Sequence, residues 1–165
     1  MSEELQAAIA KLDELIKDIE IAMLTTLDEN GHLHSRPMAT QKESFAGEIW
    51  FFTYRDSHKV LEVESDARVN VAYAAPDKNR FVSIAGRARL VTDAAKIHDL
   101  WKPVLKAWFP DGPETEGIAL LKIEVETAEY WDSPASAVVK LAGFVKATLT
   151  GMPMQSGENE KIDLK

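Results

Sequence analysis

Hydroxyl and basic side chains cluster between Thr53 and Lys59, and their chemistry suits an anion. Thr53 and Ser57 supply hydroxyl groups, and Arg55 and Lys59 supply positive charges. Ser57 is the predicted N-cap of a short helix that ends near 65–66, and the first backbone N–H groups of a helix carry a partial positive charge. This spacing predicts a site for a phosphate monoester. An ordinary capped turn with surface charges is the alternative interpretation of the same residues.

A second cluster, Ser35-Arg36-Pro37-Met38-Ala39-Thr40, falls within a predicted strand. Proline cannot donate to a strand ladder, so Pro37 predicts an edge strand or a bulge. If this strand neighbours the segment that ends at Thr53, the guanidinium of Arg36 would add to the same anion site. The alternative is an edge strand that its proline protects from further pairing.

Trp131 ends the last long predicted strand, in the segment Glu129-Tyr130-Trp131-Asp132-Ser133-Pro134. An indole ring at a strand end can stack on a flat ligand, or it can fill a core or an interface. The sequence leaves both roles open.

His32 and His34 lie two positions apart on a predicted strand and would share one face. Without a third ligand at a suitable spacing, we predict a solvated hairpin face and no metal site. The chain has no cysteine, which excludes disulfides, thiolate metal sites and cysteine nucleophiles. It also lacks the glycine-rich dinucleotide and P-loop motifs.

The elements that would position these residues are mostly strands. Asn30-Gly31 predicts a hairpin, and Gly86 predicts a bulge or a close backbone approach. The patterns predict strands over 21–27, 32–41, 48–54, 69–74, 81–91 and 118–131, and helices over 3–19, 58–66, 93–101 and 135–144. Tight turns join most of the strands. We therefore predict a mainly β (α+β) fold, a six-stranded antiparallel barrel with peripheral helices. The domain would cover 1–150, with a polar C-terminal tail over 151–165.

Composition narrows the function classes. The 165 residues are 45% hydrophobic and 28% charged, with a formal net charge of −8. This charge disfavours a nucleic-acid partner. No apolar run approaches the ~18 residues of a membrane span, and the acidic N-terminus is unlike a signal peptide. We expect a cytoplasmic protein without a membrane partner.

The motifs, taken in this order, resemble the general stress proteins of the pyridoxamine 5′-phosphate oxidase-like group, which are FMN-binding split barrels. The resemblance spans nearly the whole chain. It rests on the N-terminal helix, Ser35-Arg36-Pro37-Met38, Trp50-Phe51-Phe52-Thr53, Ser57-His58-Lys59-Val60, Gly86-Arg87-Ala88, Tyr130-Trp131-Asp132 and the terminal 157–164.

The resemblance implies a six-stranded split barrel that forms a homodimer, with two FMN sites at the subunit interface. Phosphate-binding residues would be Thr53, Ser57 and Lys59. Trp131 would pack beside the isoalloxazine of the opposite subunit. The other cofactor-binding residues implied by the matched motifs are Arg36, Pro37, Met38, Phe52 and His58.

Two departures bear on the reaction. The C-terminus, Glu158 to Lys165, lacks the arginine pair with which the true oxidases grip their substrate, and Phe81 replaces a polar flavin ligand. We therefore do not expect pyridoxamine 5′-phosphate oxidation. The remaining hypotheses are a flavin-dependent oxidoreductase of unknown substrate and a non-catalytic flavin store, scavenger or stress sensor. A split barrel for a deazaflavin or haem is a third. No general acid or base is evident, which favours binding over catalysis, and FAD remains an alternative to FMN.

Overall fold

The computed structural model describes residues 2–41, 43–133, 137–153 and 157–165. Within these ranges, seven strands and four α-helices alternate irregularly, and short 3₁₀ segments connect some of them. The helices are α1 (Glu3–Ile16), α2 (His58–Ser65), α3 (Ala94–Leu100) and α4 (Ala137–Thr150). The strands are β1 (Ile21–Leu27), β2 (Leu33–Ala39), β3 (Glu48–Tyr54), β4 (Arg68–Ala75), β5 (Arg80–Val91), β6 (Ile118–Asp132) and β7 (Glu158–Asp163).

All strand pairs are antiparallel, and the main sheet has the order β2-β1-β4-β5-β6-β3. The two end strands, β2 and β3, curl towards each other but share no ladder in the described part of the chain. This unpaired gap is the split of the barrel. The predicted six-stranded split barrel with peripheral helices is confirmed, and Pro37 lies on an edge strand as expected.

The polar C-terminal segment contains a seventh strand where the sequence predicted only a tail. β3 pairs with the first half of β6, from Ile118 to Glu124, and leaves the second half with an open edge. β7 pairs with that open edge, from Thr127 to Asp132. The backbone groups of a free strand edge favour such pairing whatever the side chains are, so composition gave no signal for it.

Helix α1 closes the barrel interior. Its Leu12 and Leu15 are fully buried and pack in one core with Leu24 and Phe51. The Oγ of Ser2 accepts a hydrogen bond from the backbone N–H of Leu5 at 3.2 Å, which defines the helix start that the sequence left uncertain. The helix ends at Ile16, three residues before the predicted end.

The aromatic run on β3 is divided between two cores. Phe51 points into the barrel, whereas Phe52 packs in a second cluster with Leu105 and Phe109. The segment after β5 folds back over β3, so α3 and the 3₁₀ segment Pro103–Ala107 pack on the outward ring of Phe52.

Two predicted backbone features are confirmed. The β1–β2 hairpin turns at Gly31, which has φ 78°, while Asn30 keeps a negative φ. The β5–β6 register shifts at Gly86, where a Cβ atom would lie 2.4 Å from the carbonyl oxygen of Glu124.

The described part of α4 runs from Ala137, so the first two positions of the predicted helix 135–144, like Pro134, lie outside the described residues. Among the described helices, none is both long and apolar enough to cross a membrane.

Candidate functional site

A cavity of about 310 Å³ lies at the split, between the two edge strands. β2 contributes Pro37 and Met38, β3 contributes Phe52 and Thr53, and α2 contributes Lys59. The other lining residues are Ile21, Ala39, Gln41, Tyr54, Leu105, Trp108 and Phe109. Five of the nine residues predicted to bind a cofactor therefore line one cavity.

The predicted phosphate-binding residues lie at the α2 end of this cavity. Thr53 is 2% exposed, and its Oγ1 lies 3.1 Å from the Oγ of Ser57. Ser57 occupies the N-cap position of α2, but its side chain does not cap the helix. Because the first N–H groups of a helix have no partner within it, two hydroxyls and a helix N-terminus meet here.

Lys59 lies on the first turn of α2 and is partly buried. Burial lowers the pKa of its ammonium group below the ordinary value, and the positive charge of Arg36 lowers it further. Glu62 acts in the opposite direction. Arg36 and Lys59 thus lie close enough for their charges to interact.

Arg36 is held at two points. Its Nη1 donates to the Oγ1 of Thr26 at 2.6 Å, and its Nη2 donates to the Oε2 of Glu62 at 2.8 Å. Burial would raise the pKa of Glu62. Hydrogen bonds from Thr26 and Arg36, together with the charge of Arg36, nevertheless keep that pKa below its ordinary value.

Sequence reasoning missed Thr26 and Glu62. Thr26 lies on the inward face of β1, as do the apolar Ala22 and Leu24, and it is 1% exposed. A hydroxyl at a buried position of an otherwise apolar face needs a partner, and this was the available signal. Glu62 had no such signal, because a helical carboxylate usually faces solvent.

The segment after α3 also contributes residues that the sequence did not single out. Trp108 is 54% exposed at the cavity, and its backbone carbonyl accepts a hydrogen bond from the hydroxyl of Tyr54 at 2.8 Å. The ring of Tyr54 lies 4.8 Å from that of Phe109. Tyr54 thereby fixes this aromatic wall against β3.

The other four predicted residues lie outside the cavity lining: Arg36, Ser57, His58 and Trp131. His58 is the exposed first residue of α2. Trp131 pairs with Phe81 of β5, near the opposite end of β6 from Ala119, which pairs with Thr53. Trp131 thus occupies a different part of β6 from the residue that pairs with Thr53.

The outer face of the sheet carries an exposed apolar row. Phe81, in register with both Ala74 and Trp131, is 40% exposed, and Trp131 is 41% exposed. Met23 and Ile21 extend the row onto β1, where Ile21 is 51% exposed and also lines the cavity. The row crosses β1, β4, β5 and β6 and joins the cavity at one end.

The histidine pair of the hairpin contacts carboxylates. The Nδ1 of His32 lies 3.2 Å from Asp28, and the Nδ1 of His34 lies 3.3 Å from Glu62. Within the part of the chain that the structure describes, no group of three or more His, Cys, Asp or Glu side chains is arranged to hold a metal ion.

Sequence comparison matches residues 7–155 to the family described as pyridoxamine 5′-phosphate oxidase like. The chain is 30% identical to protein bli-3 of Neurospora crassa over 159 residues, which cover 86% of this chain and 76% of bli-3.

Structural comparison finds the same fold in crystal structures. The general stress FMN/FAD binding protein of Xanthomonas citri superimposes with a TM-score of 0.65 at 32% identity, covering 77% of this chain and 89% of that protein. A Clostridium acetobutylicum protein related to general stress protein 26 of Bacillus subtilis gives a TM-score of 0.71 at 16% identity and covers 96% of both chains. The chain therefore belongs to the pyridoxamine 5′-phosphate oxidase-like family, within its general stress protein group.

Proposed function

We propose that this chain is a cytoplasmic, homodimeric general stress protein that binds FMN in the cavity at the barrel split, with the flavin phosphate at the α2 end. The observation that carries the proposal is that Thr53 and Lys59 line this cavity, with the Oγ of Ser57 3.1 Å from the Oγ1 of Thr53. Arg36 contacts Glu62, about one turn beyond Lys59 on α2. The Xanthomonas citri relative, described as an FMN/FAD binding protein, supports the same ligand class.

The residues present fit an FMN molecule. Hydroxyls, a helix N-terminus and two cations suit a phosphate dianion, since charge-assisted hydrogen bonds are the strong ones. Pro37, Met38 and Phe52 offer an apolar lining for a flat ring system. FAD contains the same FMN moiety, so FAD is the alternative cofactor. When bound, the isoalloxazine would supply the electron-transfer chemistry, and the protein would bind and orient it.

One chain provides only part of the site. The cavity volume of about 310 Å³ is at the small end of the ~300–1,000 Å³ usual for ligand pockets. The exposed apolar row from Ile21 to Trp131 reaches the cavity and would be covered in a two-fold dimer. We infer that such a dimer brings Trp131 of each chain to the flavin of the other.

The chemistry beyond binding has two candidates. We favour a flavin-dependent oxidoreductase of unknown substrate, because flavin can exchange electrons without a protein acid or base. Non-catalytic flavin storage or stress sensing is the second candidate. It is favoured by the described lining of the cavity, which includes no histidine or carboxylate.

An absorbance spectrum of the purified protein, before and after addition of FMN, tests the proposal. We expect a flavin spectrum that stays with the protein through gel filtration. Stopped-flow mixing with NADH or NADPH then separates the two candidates, since bleaching of the flavin indicates an oxidoreductase and an unchanged spectrum favours storage. Failure to retain any flavin would remove the proposed function.

A further inference from the structure

Glu62 uses both carboxylate oxygens at the junction of α2, β1 and β2. Its Oε2 accepts hydrogen bonds from the Oγ1 of Thr26 at 2.5 Å and from the Nη2 of Arg36 at 2.8 Å. Its Oε1 lies 3.3 Å from the Nδ1 of His34. The Glu62 side chain is 13% exposed, so this carboxylate is an organised part of the structure.

The contacts among these groups form a closed triangle. Arg36 donates through one terminal nitrogen to Thr26 and through the other to Glu62, while Thr26 donates to the same Glu62 oxygen. A free arginine side chain samples many rotamers, and ordering it opposes binding. Two anchors fix the plane of the guanidinium before a ligand arrives.

Glu62 also faces a charge conflict. The Arg36 and Lys59 cations repel each other, and the Glu62 carboxylate offsets that repulsion. A carboxylate this close to an anion site would itself repel phosphate. Its presence is therefore useful to binding only if orienting Arg36 outweighs that repulsion.

We propose that Glu62 is the positioning residue of this site, which holds the Arg36 guanidinium in the orientation that receives the cofactor phosphate. The inference rests on the proposed function, because it assigns a residue to the same phosphate site. Glu62 acts through Arg36 and does not itself contact the flavin.

A double-mutant cycle on FMN affinity tests this role, with Glu62→Ala, Arg36→Ala and the double variant compared by fluorescence quenching. A hydrogen bond to a charged group corresponds to about a tenfold or larger change in affinity. We expect Glu62→Ala to weaken FMN binding by about tenfold or more in the wild-type background and to have little further effect beside Arg36→Ala. Riboflavin, which lacks the phosphate, should show no dependence on Glu62.

Two further variants control for folding. Glu64→Ala removes an exposed carboxylate from the same helix and should leave FMN affinity unchanged. Glu62→Gln retains an oxygen that accepts hydrogen bonds, so its FMN affinity should fall between wild type and Glu62→Ala. If Glu62→Ala does not fold, the cycle is run with Glu62→Gln, and circular dichroism verifies each variant.

Equal losses of FMN affinity in both backgrounds would show that Glu62 does not act through Arg36. Tighter FMN binding by Glu62→Ala would show that repulsion outweighs orientation. Either result overturns this inference while leaving the phosphate site in place. A wild-type protein that does not bind FMN overturns both proposals.

Discussion

At the scale of single residues, the Lys59 ammonium group lies where burial disfavours its charged form. Lys59 has a lowered pKa because it is partly buried and lies near Arg36. A bound phosphate would favour the charged ammonium group and relieve this conflict. The unfavourable arrangement of the free protein is therefore what a phosphate dianion would stabilise.

Replacing Lys59 tests this account. Because Lys59→Ala removes a charge-assisted contact, we expect FMN affinity to fall by about tenfold to a hundredfold. Lys59 is not part of either hydrophobic core, so circular dichroism should report an unchanged fold. Lys17→Ala, at the exposed C-cap of α1, is the matched control. Unchanged FMN affinity in Lys59→Ala would contradict the assignment.

The Glu62 carboxylate should make the free energy of unfolding depend on pH in the acidic range. Its pKa in the folded protein lies below the ordinary value, so the ionised carboxylate stabilises the fold above about pH 4.3, the unfolded reference. That contribution is lost as the pH falls through the lowered folded pKa. Glu62→Gln should reduce the free energy of unfolding at pH 7 by about 1–3 kcal/mol. In this variant, the free energy of unfolding should also fall less steeply as the pH is lowered. Urea unfolding curves measure this, and parallel pH profiles for the two proteins would count against it.

At the scale of elements, Gly86 lets β5 and β6 approach where their register shifts. A Cβ atom there would meet the backbone oxygen of Glu124, which cannot move like a side chain. We expect Gly86→Ala to lower the free energy of unfolding by about 1–3 kcal/mol. Thr127→Ala, an exposed change on the adjoining strand, is the comparison in thermal unfolding. Equal stability of Gly86→Ala and wild type would show that β5 and β6 can move apart locally to make room for the added methyl group.

The elements differ in how far sequence predicted them. Apolar alternation and turn residues predicted β1 to β6, because those strands have one face in a core. β7 lacked this signal, since its formation depends on the open edge of β6. Thr53, Ser57 and Lys59 were predictable because they are close in sequence. The contact of Thr26 with Glu62 was not, since 36 positions separate them and only the fold brings them together.

At the scale of the whole molecule, we expect two chains to assemble. The row from Ile21 through Phe81 to Trp131 leaves apolar surface exposed, and Trp131 does not line the cavity of its own chain. Sedimentation should therefore give about twice the 18.4 kDa chain mass.

Sharing of the site can be measured by subunit mixing. Lys59→Ala and Trp131→Ala homodimers should each bind FMN weakly. A heterodimer of the two should regain one intact site, because one chain supplies a normal phosphate site and the other a normal Trp131. Absence of any regained high-affinity binding in mixed samples would indicate that Trp131 does not act across the interface.

We propose above all that the cavity at the barrel split recognises a flavin through its phosphate. Parallel fluorescence titrations of the wild-type protein with FMN and riboflavin measure this most directly, because the two ligands differ only in that group. Contacts from Thr53, Ser57 and Lys59 should make FMN bind at least about a hundredfold more tightly, given roughly 1.5–3 kcal/mol for each charged hydrogen bond. Equal affinities for FMN and riboflavin would contradict the account.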